Sequence, residues 1–181
     1  MTPDWHHHFL RQTDYQIWAN QVLFDSLARL HPDTLQAHEG LFYGSIQHTV
    51  DHLLMVLRLW AGRLRGERPV IDLGVLHHTD WVALKHQLQL ELREFRHWLE
   101  AQPPERFAQR AAYARMNGDP QENAVTDVLT HLMTHFVHHR GQISAVATRL
   151  GAPVPEMDFI YFVRAMERAA REIQASQQQQ Q

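Results

Sequence analysis

The chain has 181 residues, a formal net charge of −3 and no cysteine. This length is enough for one domain with a full hydrophobic core, and the weakly acidic charge argues against the basic surface that nucleic acids require. Without cysteine the chain has no disulfides, no thiolate ligands and no cysteine nucleophile. A transition-metal site in this chain is therefore built from imidazole, carboxylate and water.

Membrane-spanning and targeting segments are not expected in this chain. No stretch approaches the roughly 18 consecutive apolar residues of a transmembrane helix, and the first residues lack the basic start and apolar run of a signal peptide. We expect a cytoplasmic protein whose partners are neither a membrane nor a nucleic acid. The consecutive histidines His6-His7-His8 are expected at the surface, because neighbouring residues point in different directions around a helix.

Helical periodicity and turn residues predict four long helices and a shorter helix near the C-terminus. Ser45 is a plausible N-cap of the second long helix, and Gly151 stands where a glycine commonly ends a helix, just after the fourth. The predicted long helices cover about 5–30, 45–65, 81–102 and 123–150, and the shorter one follows Pro155.

The element pattern has no strand-helix-strand alternation, so it predicts an all-α fold: a four-helix bundle with an additional C-terminal helix. Between the third and fourth long helices, Phe107 to Gln121 contains the turn signal Asn117-Gly118-Asp119-Pro120. It predicts a short irregular or hairpin segment that is able to cover a pocket. We expect a single domain over residues 1–176 and a disordered glutamine tail over 177–181.

Four histidines lie close together in the fourth long helix: His131, His135, His138 and His139. Residues four apart project from one face of a helix, so His135 and His139 are placed as two ligands of one metal ion must be. On a helical wheel both lie within or at the edge of the apolar stripe, whereas His131 and His138 lie outside it. The alternative interpretation is a set of partly buried histidines at the rim of the core.

The second long helix offers a further ligand, because His48 and His52 are also four residues apart. A catalytic zinc site typically has three protein ligands and an open position. His52 borders the apolar arc of this helix and His48 lies further round, so the wheel favours His52 weakly. Partly exposed histidines without a ligand role are the alternative for both.

Four motifs occur in order over nearly the whole chain. They are Tyr15-Gln-Ile-Trp18-Ala19-Asn20, then Gly44-Ser45-Ile46 followed by Thr49-Val-Asp-His52-Leu53-Leu54 and Trp60, then His131-Leu-Met-Thr-His135 leading into His138-His139-Arg140-Gly141-Gln142, and last Gly151-Ala-Pro153 followed by Asp158-Phe-Ile-Tyr161-Phe-Val-Arg. In this combination the chain resembles the DinB family, within the wider group of YfiT-like and S-transferase-like proteins.

The resemblance implies a four-helix bundle, often a homodimer, with a three-histidine metal site. Carried over residue by residue, the ligands are His52, His135 and His139, which agrees with the wheel for the last two. Gly141 and Gln142 complete a family motif without being implied ligands. Relatives in this family include bacillithiol transferases and mycothiol-dependent isomerases, although the fold alone does not determine the reaction.

One hypothesis for function is a metalloenzyme, either a thiol S-transferase or a hydrolase-like enzyme of stress response or detoxification. Three neutral imidazoles leave a divalent metal its full charge and an open position, where a water or thiol becomes a nucleophile at neutral pH. Imidazole suits zinc, nickel, iron and copper. Because the chain lacks cysteine, the thiol must come from a cofactor or substrate. Arg140 is a candidate for an anionic group, although a structural salt bridge is favoured.

The alternative is a non-catalytic, metal-stabilised dimer that binds a ligand or partner during stress. A fourth protein ligand would favour this hypothesis, because structural sites fill their coordination, and Asp51, His48 and His138 are the candidates. We expect a symmetric homodimer with Met55 and Leu59 at or near the contact between copies, since the second long helix is apolar almost all round. DNA binding is a weaker possibility, which the lack of a basic stripe opposes.

Overall fold

The computed structural model of the chain describes residues 4–178 and is mainly α-helical. The helices are α1 Trp5–Leu27, α2 Pro32–Gln36, α3 Ile46–Leu64, α4 Trp81–Glu100, α5 Val125–Arg149 and α6 Phe159–Gln178; the strands are β1 Arg110–Ala114 and β2 Pro120–Ala124, preceded by a 3₁₀ turn at Pro104–Ala108. Helices α1 and α3 each pack against both α4 and α5, so these four helices enclose the core. The predicted all-α bundle with an additional C-terminal helix is confirmed.

Side-chain caps determine where the long helices begin. Ser45 accepts a hydrogen bond from the backbone N–H of His48 at 3.1 Å, as its predicted N-cap role requires. Asp80 caps α4 in the same way, accepting from the N–H of Ala83 at 2.8 Å. The first helix ends at Leu27 rather than at Leu30, because the next residues continue only as tight turns with bonds to the carbonyl three residues back.

The connection between α3 and α4 returns along α3 and is tied to its buried polar residues. Asp51 is fully buried and accepts hydrogen bonds from the backbone N–H of His77 at 2.7 Å and from Nδ1 of His78 at 2.6 Å. The side chain of Gln47 donates to the carbonyls of His78 and Thr79 at 3.0 and 2.8 Å. These bonds fix residues 77–79, at the end of the connection, against α3.

Met55 and Leu59, predicted to lie at or near a dimer contact, are already buried by the chain itself. Both side chains are only 3% exposed within the single chain. They continue the helical row of Asp51 at intervals of four residues, on the side that the α3–α4 connection reaches. A helix that is apolar almost all round is covered here by its own chain, so its apolar outer side does not require a partner.

The segment predicted as irregular or hairpin forms an antiparallel hairpin that extends slightly beyond Gln121. Its register runs from the pair Arg110 and Ala124 to the pair Ala114 and Pro120. At the tip, Gly118 has a φ of +90°, a conformation that residues with a Cβ rarely adopt. The hairpin leads directly into α5 and packs against α3 through β1, so it lies beside both helices that carry the predicted ligands.

Helix α6 lies outside the bundle and packs against α1, where Phe162 is its one buried residue among those described. The disordered tail was predicted from Gln177, whereas α6 includes Gln177 and Gln178, in keeping with the good helix propensity of glutamine. Residues 179–181 of that predicted tail lie outside the described residues. No helix within residues 4–178 is both long and apolar enough to cross a membrane.

Candidate metal centre

Two helices of the bundle bring three histidines together. His52 comes from α3, and His135 and His139 come from successive turns of α5. One ring nitrogen of each lies within 4.8 Å of the corresponding atoms of the other two. His52 and His139 are 4% and 5% exposed, and His135 is half-buried. The three residues implied by the family resemblance therefore form one cluster in space.

The spacing of these nitrogens suits a single metal ion. Bonds of about 2.0–2.1 Å at a tetrahedral angle place two histidine nitrogens about 3.3 Å apart. The Nε2 atoms of His52 and His135 are separated by 3.0 Å. All three nitrogens fall within 4.8 Å of one another, so small rotations of the rings bring them to bonding distance of a common centre. The donor set fits a divalent transition metal.

The environment keeps the three rings neutral at physiological pH, which is the form that binds metal. Burial, followed by the nearby His139, lowers the pKa of His52 to about 4. Burial and the same neighbour lower the pKa of His135 to about 3. Burial also lowers the pKa of His139, although its hydrogen bond with Gln142 opposes this shift. A metal ion therefore does not have to displace protons from these rings at pH 7.

A hydrogen bond to Gln142 orients His139. Its Nδ1–H donates to Oε1 of Gln142 at 2.9 Å, which leaves Nε2 free to bind a metal. The amide nitrogen of Gln142 in turn donates to Nε2 of His138 at 3.1 Å. Gln142 lies three residues after His139 on α5, so the two side chains are neighbours on the surface of the helix. In the sequence, Gln142 stands out only as part of a family motif, and this role was not predicted.

An aromatic ring from the loop before α3 holds His52. The ring of Tyr43 stacks on that of His52 with centroids 4.0 Å apart and planes 23° from parallel. The backbone carbonyl of Leu73 lies near His52 and partly opposes the lowering of its pKa. Within the described residues, Nδ1 of His52 has no hydrogen-bond partner at normal distance and angle. Sequence periodicity did not reveal Tyr43, because this residue lies in an irregular segment.

The three candidates for a fourth protein ligand are placed elsewhere. Asp51 is occupied by His77 and His78, and His138 is bonded to Gln142. His48 packs beside Tyr43 with ring centroids 5.5 Å apart and does not join the cluster. Within residues 4–178, the cluster of possible metal ligands at this site contains only the three histidines.

The cluster opens onto a cavity of about 630 Å³ between α3, α5, the α3–α4 connection and the hairpin. Two of the three histidines, His52 and His135, form part of its wall. His131, predicted to lie outside the apolar stripe, is exposed on α5 and faces the same cavity without joining the cluster. The remaining lining residues are Tyr43, Val56, Leu59, Trp60, Arg63, Leu73, Tyr113, Arg115, Met116, Asn117 and Gln121.

Arg140 is not part of this cavity. It is 2% exposed and donates to the side-chain oxygens of Gln16 and Asn20, with its guanidinium 5.1 Å from the ring of Tyr15. The expected salt bridge is not formed with any of the described acidic residues. Amide oxygens and an aromatic face instead surround this charge, and it joins α5 to α1 in the core.

Comparisons with known proteins identify the family to which the chain belongs. A model of the DinB family matches residues 7–179. Protein DinB of Bacillus subtilis (strain 168) is 21% identical over 151 residues, which are 81% of this chain and 88% of that protein. Because the family model covers nearly the whole chain, the protein belongs to the DinB family.

Proposed function

We propose that this protein is a metal-dependent enzyme that transfers a low-molecular-weight thiol to an electrophile, in stress protection or detoxification. The observation that carries the proposal is the position of the histidine cluster at the wall of a cavity, with no fourth protein ligand joining it among residues 4–178. Structural metal sites are closed by protein ligands, whereas catalytic sites keep one position open. The proposed ligands are His52, His135 and His139.

When bound, a divalent zinc, nickel or iron ion would supply the positive charge that lowers the pKa of a thiol or water at its open position. The chain's own residues orient the ligands: Gln142 holds His139, and Tyr43 holds His52. The apolar and aromatic parts of the wall, which include Leu59 and Trp60, would shield part of a bound substrate from water.

In the proposed reaction, the thiol sulfur forms a bond to an electrophilic carbon while the bond from that carbon to its leaving group breaks. The leaving group departs with the electron pair, and the proton of the thiol passes to solvent water. Because the chain has no cysteine, the thiol is a second substrate. If water takes the place of the thiol, the same site supports a hydrolase-like reaction.

A titration of the cobalt-substituted protein with small thiols tests this proposal. Bacillithiol, glutathione and cysteine are added in turn, and a sulfur-to-metal charge-transfer band is expected for at least one of them. His139→Ala should remove the band, and the matched His138→Ala variant should keep it. Absence of thiol ligation, together with four protein ligands in a metal-bound structure, would favour the alternative of a non-catalytic, metal-stabilised binding protein.

We also propose that the protein is cytoplasmic, in keeping with its lack of cysteine, and that it forms a homodimer, as the family resemblance implies. Since Met55 and Leu59 are covered by the chain itself, the contact between copies must involve other residues. Light scattering at micromolar concentration should give twice the chain mass of 21.2 kDa. A mass of one chain over this concentration range would contradict the dimer.

A further inference from the structure

Arg63, near the end of α3, is a buried cation without an acidic partner among residues 4–178. It is 8% exposed. Its guanidinium lies 4.6 Å from the ring centroids of both Trp60 and Tyr113, and Nη2 donates to the carbonyl of Ala114 at 3.0 Å. A guanidinium has five N–H donors, so most of its hydrogen-bonding capacity is not used by these contacts.

Burying a charge is costly unless an opposite charge or several hydrogen bonds compensate it. Two aromatic faces and one carbonyl compensate Arg63 only in part. Arg140 is surrounded by side chains of the core. Arg63, in contrast, lines the cavity that contains His52 and His135. A ligand in that cavity is therefore able to supply the missing negative charge.

Arg63 and the metal centre occupy opposite ends of one surface. His52, Val56, Trp60 and Arg63 follow one another along a single face of α3 and all line the cavity. Eleven residues of helix correspond to a rise of about 16 Å, and the arginine side chain leans back toward the N-terminus of the helix. The distance from the guanidinium to the histidine cluster is thus about 10–15 Å.

Successive contacts between side chains run from Arg63 to His135 along the cavity wall. The guanidinium of Arg63 lies 4.6 Å from Trp60, whose ring centroid is 5.1 Å from that of His131, which is 5.6 Å from that of His135. An elongated ligand along this path contacts aromatic rings over its length. Its two ends then meet chemically different groups.

The charge of the cavity wall is positive. Arg115, at the start of the hairpin turn, is a second and exposed cation that lines the cavity. None of the described residues that line this cavity is acidic; Glu67 lines a smaller neighbouring cavity that shares Arg63, Arg115 and Met116 with this one. An anionic group is therefore attracted to this end of the cavity rather than repelled.

We propose that Arg63 binds the terminal carboxylate of an elongated substrate whose other end lies at the three-histidine site. The planar guanidinium fork matches a carboxylate in a bidentate arrangement. For the thiol end this inference rests on the proposed function: the substrate class is a thiol that carries a carboxylate about 10–15 Å from its sulfur. Recognition of the carboxylate by Arg63 does not depend on the thiol.

The competing explanation is that Arg63 only attaches the hairpin to α3 through Ala114 and Tyr113. Both roles predict that its removal weakens ligand binding in general. They differ in one respect: a purely structural Arg63 has no preference between a charged ligand and a neutral ligand of the same shape. A pair of matched ligands therefore separates the two roles.

Calorimetry of the purified, metal-assayed protein with octanoate and with octanamide provides this comparison. In the wild type, octanoate should bind about tenfold or more tightly than octanamide, as expected for a charge-assisted hydrogen bond. Arg63→Met should remove this preference, and Arg63→Lys should retain part of it, because lysine keeps the charge and loses the fork. The control is Arg65→Met, an exposed arginine two residues further along, which should leave the preference unchanged.

Equal binding of octanoate and octanamide to the wild type would overturn the proposal, as would equal weakening of both by Arg63→Met. Circular dichroism verifies that each variant is folded. A second arm uses mercaptooctanoate, which adds a thiol at the far end of octanoate. The thiol should increase affinity, and His135→Ala should remove only this increase. If the thiol adds nothing while the carboxylate preference persists, the proposed function fails and the role of Arg63 stands.

Discussion

The two ends of the cavity differ in how they are built. At one end, the three histidines stand on α3 and α5, and α5 supplies two of them one turn apart. At the other end, Arg63 of α3 meets Tyr113 and Ala114 of a hairpin. Rigid helices thus determine the geometry of the histidine end, whereas the arginine end depends on a tertiary contact with a two-stranded segment. Changes at the two ends should therefore have separable effects.

The largest expected effect is the loss of metal from variants of the histidine end. His135→Ala removes one of three proposed ligands, and we expect it to abolish stoichiometric metal in protein purified without nickel resin. His138→Ala is the matched control on the same helix, because His138 lies outside the cluster and contacts Gln142. Metal content is measured by mass spectrometry. Full retention of metal by His135→Ala would refute the assignment.

Removal of the metal should destabilise the folded chain, because the cluster joins α3 to α5. A ligand that binds only the folded state contributes about 2.7 kcal/mol at a 100-fold excess over its Kd. For a domain of this size, chelation should lower the Tm by about 5–10 °C. Thermal melts with and without chelator, after confirmed metal removal, check this. Superimposable curves would mean that the metal does not join the helices.

Sequence periodicity was sufficient for the helical framework and for part of the site. His135 and His139 were identified because a helix relates residues four apart by local geometry alone. The pairing of His52 with them needed the family resemblance, since the wheel of its helix favoured it only weakly. Contacts between distant segments cannot be predicted from periodicity: Met55 and Leu59 are buried by other parts of the same chain, although their helix is apolar almost all round.

Arg63 illustrates the same limit at the other end of the cavity. In the sequence it is one more charged residue near the end of a helix, where arginine is favourable because it interacts well with the helix dipole. Its burial depends on Tyr113 in a hairpin fifty residues away along the chain. Arg140 was interpreted as part of a salt bridge, yet amide oxygens from α1 surround it. Partners of buried charges follow from tertiary packing, which periodicity does not encode.

The hydrogen bond from His139 to Gln142 should increase the affinity for metal, although Gln142 is not itself a ligand. Loss of such an outer contact typically weakens metal binding by about 10–100-fold. Gln142→Ala is expected to fall in this range, measured by competition with a chelator of known affinity. Gln142→Glu keeps the acceptor oxygen and should retain most of the affinity. An unchanged affinity in Gln142→Ala would show that packing alone orients His139.

Lowering the pH should destabilise the metal-free protein because of His52 and His135 at the histidine end of the cavity. The pKa of His52 is lowered to about 4 and that of His135 to about 3, both below the usual value of 6.5. At pH values between about 4 and 6.5, these histidines are protonated in the unfolded chain and neutral in the folded chain. The free energy of unfolding therefore falls as the pH decreases from 6.5 toward 4. The Tm of the metal-free protein should decrease over this window by a few degrees, and His135→Ala should show a shallower decrease.

The smallest expected effect comes from a change in the hairpin that should alter the arginine end of the cavity and leave the histidine end unchanged. Gly118 has a φ of +90° at the hairpin tip, so Gly118→Ala should strain the turn by about 1–2 kcal/mol. This variant should weaken octanoate binding at Arg63 while metal content stays stoichiometric, because α3 and α5 are unchanged. Gly141→Ala in α5 is the matched control: an added Cβ there meets no atom within 4 Å, and it should stabilise the helix by about 0.5–1 kcal/mol. Metal loss in Gly118→Ala would mean that the hairpin also supports the histidine cluster, and the two ends of the cavity would then act as one unit.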